Sequence, residues 1–270
     1  MVDIGEGQPL VLIPGLHGRW EWMRPTVAAL AKRFRVLTFS LAGERTSRFP
    51  LDPRIGFDTF VSQIDEALER AAVPSAFVCG VSYGGLVALR YAGTRPGRVK
   101  GLALASALAP GFVPDSRAQF YMRAPRLLMP LFFVDGFRRS RREVRAALPQ
   151  WRERLHFGVH QGWYVATALP APHLMRERLR LLDAVDFHSS AASVTAPALV
   201  ITGDAELDYV VPVTDTLRYQ RLLPRVEVVH MRGTGHHGTI TRPEDFARHL
   251  DAFATRVTGS TGGSAGRDAP

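Results

Sequence analysis

A single serine lies between two glycines in the sequence GVSYG, at residues 80–84. An apolar run precedes Ser82 and an apolar stretch with helical spacing follows it, so this serine stands where a strand is predicted to become a helix. A sharp turn at that point lifts the hydroxyl above a sheet. Gly80 and Gly84 are needed beside it because a Cβ there would collide with the neighbouring strand or helix. The pattern predicts a nucleophilic serine.

A serine hydroxyl is a poor nucleophile until a base removes its proton, and that base must be oriented by an acid. Two later segments of the chain supply both residue types. The acid loop, residues 203–212, reads GDAELDYVVP and follows the apolar run ALVIT. The histidine loop, residues 232–238, reads RGTGHHG and follows VEVVHM. Both loops follow predicted strands, where such groups can meet a serine at the end of a third strand.

The elements that must position these residues alternate along the chain. Amphipathic helical patterns, such as residues 57–73, separate most of the short apolar runs. Continuously apolar runs of this length suit strands that are buried on both faces. The alternation predicts an α/β fold with a doubly wound, mainly parallel sheet of about six strands. These strands are predicted at residues 9–14, 34–40, 75–80, 99–106, 196–202 and 225–231.

One connection is much longer than the others. About ninety residues separate the strand at 99–106 from the strand at 196–202, and they include arginine-rich, helix-like stretches such as 138–155. A connection of that length must be a structured insertion. The last residues, 259–270, are small, polar and rich in glycine, and we expect them to form a disordered tail.

The net charge of +9 raises the question of a nucleic-acid partner. Residues 111–154 alone hold ten arginines against four acids. Aromatic and basic residues do not alternate along the predicted strands, and no zinc-finger spacing occurs. We therefore interpret the arginines as a solvated surface and predict no nucleic-acid partner.

The remaining composition indicates where the protein works. Cys79 is the one cysteine, which excludes an internal disulfide and suits a reducing compartment. The first residues do not resemble a signal peptide, and no apolar run approaches the roughly 20 residues that span a bilayer. We predict a cytoplasmic protein with no membrane partner. The oligomeric state is left open.

Together, these motifs resemble the α/β-hydrolase superfamily over about residues 8–257. The motifs are PGLHG (14–18), GVSYGG (80–85), the acid loop and GTGHHG (233–238). The resemblance implies that Ser82 is the nucleophile and His236 the base. It also implies an α/β-hydrolase core of residues 1–110 and 194–258, with residues 111–193, the cap segment, forming a helical cap over the active site. Only about eight residues precede the first predicted strand, so the sheet is expected to be short at its N-terminal edge.

The acid loop offers three carboxylates, and two regularities of the superfamily disagree about them. One places the acid three residues after the glycine, at Glu206; the other places it four residues before the proline that opens the next helix, at Asp208. We favour Asp208, because a helix start fixes geometry more tightly than distance from a strand end. Glu206 is the alternative acid, and Asp204 is a third choice.

The other histidines are not predicted to act as the base. The superfamily pattern G-H-x-G selects His236 over His237, which is expected to line the pocket or to face solvent. His230 and His249 are predicted to be structural. The histidines of the cap segment, His156, His160 and His173, do not have a convincing metal-ligand spacing, so we predict no metal.

Attack on a carbonyl also needs an oxyanion hole, in which backbone N–H groups stabilise the charge that develops on oxygen. The N–H of Tyr83, directly after the nucleophile, is the first predicted donor. By resemblance, the second comes from the turn after the first predicted strand, and we predict Arg19. Gly18 and His17 are expected to shape that turn.

The predicted function is a serine hydrolase that cleaves an ester-type bond through an acyl-enzyme, without a cofactor. Ten of the 25 aromatic residues lie between Gly111 and Pro170, which favours a small hydrophobic or aromatic substrate. The same triad also supports carbon–carbon bond hydrolysis, thioester hydrolysis or acyl transfer. The alternative from a different class is a non-catalytic ligand-binding protein of the same fold.

Overall fold

The computed structural model describes the backbone of residues 1–262 and the side chains of residues 1–259. In this part of the chain, seven strands form one sheet in the order β1-β3-β2-β4-β5-β6-β7. All neighbouring strands are parallel except the pair β1 and β3. The strands are β1 (Val2–Ile4), β2 (Gln8–Ile13), β3 (Phe34–Thr38), β4 (Ala76–Val81), β5 (Val99–Ala105), β6 (Ala198–Thr202) and β7 (Val226–His230).

The predicted α/β fold is confirmed, and each of the six predicted strands is present. The sheet has one strand more than expected, because the three residues of β1 pair with β3 at the N-terminal edge. So short a strand has too few residues to show the apolar pattern by which the others were found. β4 lies in the middle of the sheet, and all six of its residues are buried, as expected for a strand covered on both faces.

Helices cover both faces of the sheet. Helices α2, α3 and α8 contribute to the apolar core on one face, and α1 and α12 to the core on the other. The helices are α1 (Arg24–Leu30), α2 (Asp58–Arg70), α3 (Tyr83–Thr94), α4 (Ser116–Arg123), α5 (Pro125–Ala147), α6 (Trp151–Thr167), α7 (Pro172–Leu181), α8 (Phe187–Ala192), α9 (Val213–Leu217), α10 (Tyr219–Leu222), α11 (Gly238–Thr241) and α12 (Pro243–Gly262).

The cap segment is helical, and its last helix packs against a helix of the sheet layer. Its predicted helical stretch 138–155 is divided between α5 and α6, and Pro149 lies between these two helices. Its last helix, α8, packs on α3 so closely that a Cβ on Gly93 would lie 2.3 Å from the carbonyl oxygen of Ser190. α8 is therefore part of the layer that covers the sheet. The division into core and cap at residues 111–193 stays a prediction.

The predicted tail begins inside α12. This helix continues through Gly262, so residues 259–262 are helical where disorder was expected. Glycine and threonine at these positions are weak helix formers, which is why composition alone favoured a tail. The remaining residues of the predicted tail, 263–270, lie outside the described residues.

The described residues contain neither a membrane-spanning helix nor a cluster of metal-ligating side chains. No helix in residues 1–262 has the length and apolar character that crossing a bilayer requires. No group of three or more histidine, cysteine, aspartate or glutamate side chains in this part of the chain is placed to hold a metal ion.

Candidate active site

Ser82 occupies a strained turn between β4 and α3. Its backbone has φ 56° and ψ −121°, a conformation that non-glycine residues rarely adopt. The turn is tight enough that a Cβ on Gly80 would lie 2.1 Å from the carbonyl oxygen of Gly84. A Cβ on Gly84 would lie 2.6 Å from the carbonyl oxygen of Ile13 in β2. The two glycines therefore permit the turn that presents Ser82 at the carboxyl end of β4.

Asp208, in the acid loop, contacts His236 in the histidine loop. Its Oδ1 lies 3.3 Å from Nδ1 of His236 and accepts hydrogen bonds from the backbone N–H groups of Val210 and Val211, at 3.1 and 2.9 Å. The Asp208 side chain is buried, and burial alone raises the pKa of a carboxyl group. The positive charge of His236 and these hydrogen bonds outweigh burial, so the pKa of Asp208 lies below its usual value. Asp208 is therefore held as a carboxylate.

The pKa of His236 is shifted in the opposite direction. Burial of the ring lowers this pKa, but the negative charges of Asp208 and, from the cap segment, Glu143 outweigh burial and raise it above its usual value. The contact with Asp208 is loose, because Nδ1 of His236 lacks a well-directed hydrogen bond. Catalytic hydrogen bonds in unliganded enzymes commonly tighten when substrate binds.

The other two acids of the loop lie elsewhere. Glu206 is exposed. One oxygen of Asp204 lies 2.7 Å from Nε2 of His230, and the other accepts the backbone N–H of Gly233 at 2.7 Å. Asp204 thus ties the acid loop to the start of the histidine loop. The carboxylate that contacts His236 is Asp208.

The structure disagrees with the prediction that Arg19 supplies an oxyanion-hole donor. The backbone N–H of Arg19 donates to Nδ1 of His17 at 3.0 Å, so it already has an acceptor. The residue of this turn that borders the nucleophile is Gly15, where an added Cβ would lie 3.3 Å from Cβ of Ser82. The prediction started from the glycine at position 18, whereas Gly15 is the first glycine after β2. The next N–H along the chain belongs to Leu16.

The oxyanion turn, residues 14–19, is held by Arg178 from α7 in the cap segment. Nη1 of Arg178 donates to the carbonyl oxygen of Leu16 at 3.0 Å, and Nη2 forms a buried ion pair with Glu44 at 2.9 Å. The guanidinium fits under the turn because Gly18 has no side chain: a Cβ there would lie 2.5 Å from Nη1. Gly18, predicted to shape the turn, thus makes room for a buried cation. The hydroxyl of Tyr83 also donates to the Arg178 carbonyl oxygen, at 3.1 Å.

His237 contacts a carboxylate, where an open pocket or solvent was expected. Its backbone N–H donates to one oxygen of Glu143 at 2.7 Å, and its ring Nδ1 lies 3.0 Å from the other. Glu143 belongs to α5 and is almost completely buried, with 1% of its surface exposed. The cap segment thus contributes one buried cation beside the oxyanion turn and one buried anion beside the histidine loop.

A row of aromatic rings leads from the oxyanion turn into the cap segment. The ring of His17 stacks on Trp22 with centroids 4.4 Å apart, and Trp22 lies 6.1 Å from Phe133 of α5. Phe133 packs edge-on against Phe132, which packs in the same way against Tyr121. This row is apolar and begins beside the turn that borders Ser82.

Other aromatic residues of the cap segment face outward. Phe137, Trp151 and Trp163 are 70%, 63% and 67% exposed, and Phe120 is 42% exposed. These four do not line an enclosed pocket. Aromatic content alone does not tell which face of a helix is covered.

Sequence reasoning missed three residues that contact the site: Leu16, Glu143 and Arg178. Leu16 had a usable signal, because it follows the first glycine after a predicted strand. Glu143 and Arg178 gave no such signal, since each lies in a helix that contains several other charged residues. Their burial becomes visible only when the cap helices are placed on the core.

Comparisons with known proteins show which family the chain belongs to. The family model for the alpha/beta hydrolase fold matches residues 8–243. A pimeloyl-[acyl-carrier protein] methyl ester esterase of Xanthomonas oryzae pv. oryzae is 28% identical over 94% of this chain and 98% of its own length. A putative carbamate hydrolase of Variovorax paradoxus is 26% identical over 94% of each chain.

Solved structures show the same fold. An esterase from Rhodococcus sp. ECU1013 superposes with a TM-score of 0.74 at 23% identity, covering 94% of both chains. The enol-lactonase of Burkholderia xenovorans LB400 superposes with a TM-score of 0.73 at 22% identity, covering 94% of this chain and 95% of its own. On the extent of the family match, the chain belongs to the α/β-hydrolase family.

Proposed function

We propose that this protein is a serine hydrolase that cleaves a carboxylic ester of a small, largely apolar substrate. The observation that carries the proposal is the strained Ser82 turn at the head of α3, with φ 56°. Such strain persists only where the surrounding structure enforces it, and it concentrates at catalytic sites. The Asp208–His236 pair supplies the base that a serine nucleophile needs.

In the first half of the reaction, Oγ of Ser82 attacks the ester carbonyl and His236 takes the hydroxyl proton. Asp208 orients the imidazole and stabilises its protonated form. The carbonyl oxygen, now negative, accepts hydrogen bonds from the N–H groups of Tyr83 and Leu16. One donor of this kind is worth about 3 kcal/mol of transition-state stabilisation.

The intermediate then expels the alcohol, which takes the proton from His236, and an acyl-enzyme on Ser82 remains. In the second half, water attacks the acyl carbonyl while His236 takes one of its protons. The proton then returns to Oγ of Ser82 as the carboxylic acid leaves. The N-terminus of α3 lies directly behind Ser82 and favours negative charge in both steps.

The apolar substrate class is supported by the surroundings of the oxyanion turn. The aromatic row from His17 to Tyr121 begins beside this turn and offers a hydrophobic surface for an acyl or aryl group. His17 does not introduce charge there, because burial and the nearby charge of Arg178 lower its pKa to about 3. The arginines of the cap segment leave the choice of an acidic substrate open.

The names of the relatives favour hydrolysis of an ester-type bond over carbon–carbon bond hydrolysis. One is named as a methyl ester esterase and another as a putative carbamate hydrolase, and both names describe cleavage at a carbonyl that carries a heteroatom. The type of bond that is cleaved can be identified by measuring turnover of p-nitrophenyl esters of increasing chain length, acyl-thioesters and a vinylogous diketone. Turnover of the esters at the highest kcat/KM is the expected result.

The serine mechanism itself is tested by labelling with a fluorophosphonate probe, which reacts with activated serines. We expect wild type to be labelled and Ser82→Ala to be inert. Ser106→Ala is the matched control, because Ser106 also has positive φ and follows the neighbouring strand β5. Equal labelling of wild type and Ser82→Ala would overturn the assignment of Ser82, and absence of labelling in both would favour a non-catalytic binding protein.

A further inference from the structure

Glu143 is a buried carboxylate that the proposed reaction does not use. It lies near the end of α5, in a helix whose neighbouring residues are mostly exposed arginines. Only 1% of its surface is exposed, and burying a charge in that way is costly unless the charge is paired. The position of Glu143 therefore calls for a reason in the residues it contacts.

Both of its oxygens are engaged by one residue of the histidine loop. Oε1 accepts the backbone N–H of His237 at 2.7 Å, and Oε2 lies 3.0 Å from the ring Nδ1 of the same residue. His237 follows His236 directly in the chain. Fixing the peptide group between the two histidines restricts the backbone on which the His236 ring is mounted.

Two further hydrogen bonds join the end of α5 to the loops near His236. Arg142 donates to the hydroxyl of Tyr209 in the acid loop at 2.9 Å. Arg242, at the end of α11, donates to the carbonyl oxygen of Ala147 at 2.7 Å. The last turns of α5 thus contact the acid loop and the chain that follows His236.

The charged and titratable groups around His236 come from four places. Asp208 faces it from the acid loop, and His237 is its neighbour in the histidine loop. His17 lies close enough on the oxyanion turn to interact electrostatically, and Glu143 does so from α5. Of these groups, Asp208 and Glu143 are the two acids, and both favour the protonated imidazole.

We propose that Glu143 is a positioning residue of the reaction: it fixes the histidine loop by binding His237, and it places a second negative charge behind the base. Glu143 acts through His237 and does not touch the reacting atoms. The cap segment thereby takes part in the geometry of the base. This inference rests on the proposed function, in which His236 is that base.

The test uses the full-length protein and four variants, of which His237→Ala is the fourth. Glu143→Gln keeps an oxygen acceptor but removes the charge, and Glu143→Ala removes both. Glu177→Gln, which removes a carboxylate from the exposed surface of α7, is the matched control. For each variant we would measure the pH profile of kcat/KM for a p-nitrophenyl ester, the unfolding midpoint in urea, and the titration of the His236 ring by NMR.

We expect Glu143→Gln to move the acid limb of the profile to lower pH by about half a unit or more, because the base loses a charge that favours its protonated form. Glu143→Ala should in addition lower kcat at the plateau about tenfold, since a hydrogen bond to a charged group is worth roughly that factor. The control should match wild type. His237→Ala loses only the contact between the ring and Glu143, so its plateau kcat should lie between those of wild type and Glu143→Ala. If Glu143→Ala does not fold, His237→Ala replaces it in the test.

The proposal is overturned if the acid limb of the pH profile and the plateau kcat are unchanged and only the unfolding midpoint falls. Glu143 would then be a structural residue. If the proposed function itself is wrong, the wild-type protein will neither turn over esters nor react with fluorophosphonate. In that case the NMR titration still decides. A lower His236 pKa in Glu143→Gln supports the arrangement, and an identical pKa overturns it.

Discussion

The guanidinium of Arg178 donates a hydrogen bond to the carbonyl oxygen of Leu16, which joins helix α7 of the cap segment to the oxyanion turn. Arg178 is 1% exposed, and its ion pair with Glu44 is equally buried. A turn whose N–H must meet a developing oxyanion within a few tenths of an ångström benefits from such a fixed support. The pair thus couples the position of α7 to that of the turn bordering Ser82.

We expect Arg178→Met to reduce kcat by about 10-fold to 100-fold with a smaller change in KM, because a displaced oxyanion donor acts on the transition state. Glu44 would keep only its longer ion pair with Arg19, at 3.8 Å, so the variant should also lose up to about 3 kcal/mol of unfolding free energy. Steady-state kinetics and urea denaturation measure the two effects. Arg180→Met, on the exposed side of the same helix, is the control. Equal kcat in the two variants would contradict the role of Arg178.

The choice of acid is tested by substitution within the acid loop. Asp208→Asn should lower kcat by roughly 10⁴-fold, because the imidazole then loses the acceptor that fixes its tautomer. Glu206→Gln changes an exposed carboxylate of the same loop and should retain nearly full activity. Kinetics with one p-nitrophenyl ester compare the two. A larger loss in Glu206→Gln would show that the acid is misassigned.

The stability of the protein should fall on acidification because of His17. Burial and the charge of Arg178 lower the pKa of His17 to about 3 in the folded state, against about 6.5 in an unfolded chain. Between these values the unfolded state binds a proton that the folded state does not. Stability is therefore present above this window and decreases by about 1.4 kcal/mol per pH unit within it.

Replacement by a neutral side chain isolates that contribution. In His17→Gln, the unfolding free energy between pH 6.5 and 4.5 should decline less steeply than in wild type. Urea denaturation at several pH values measures both slopes. Identical slopes would mean that the His17 ring takes up its proton without unfolding.

The glycines of the Ser82 turn should tolerate no side chain. In Gly80→Ala, the new methyl group would lie 2.1 Å from the backbone oxygen of Gly84, and backbone cannot move aside cheaply. We expect a loss of at least about 3 kcal/mol of unfolding free energy, together with lower activity per folded molecule. Gly97→Ala is the control, because a Cβ there meets no atom within 4 Å. Thermal or urea unfolding measures the stability of both variants. Equal losses of unfolding free energy would contradict the steric role of Gly80.

Apolar substrate binding should depend on the aromatic row and not on aromatic content in general. Phe133→Ala removes the ring next to Trp22 and should raise KM for long-chain or aryl esters by about tenfold, with little effect on acetate esters. Phe137→Ala removes a ring that is 70% exposed in the same helix and should leave KM unchanged. A KM series over acyl chain length makes the comparison. Equal effects at the two positions would place the substrate elsewhere.

Much of the fold and of the candidate site could be predicted because strongly local rules apply there. The buried strands have continuous apolar runs, and the Ser82 turn needs glycine on both sides for steric reasons. Asp208 was favoured because the proline that opens the next helix fixes its distance from that helix, and it is the acid that contacts His236.

The rest depended on contacts between distant segments. Arg19 was predicted as an oxyanion donor from a local pattern, but its N–H is taken by His17. Nothing local distinguishes Glu143 or Arg178 from the exposed charged residues around them, because their burial arises only when α5 and α7 pack on the loops of the core. Edge strand β1 was missed for a related reason, since three residues are stabilised by pairing with β3 and not by their own pattern.

The two buried charges of the cap segment have a consequence for protein engineering. Substrate range in such folds invites exchange of one cap for another, as if the cap were a separable module. Here a transplanted cap would have to supply an acid in place of Glu143 and a cation in place of Arg178. A graft lacking them would leave Glu44 with only its longer ion pair to Arg19, at 3.8 Å, and His237 without its carboxylate partner. The outer faces of α5 and α6 are therefore free to diversify, whereas these two inward positions are not.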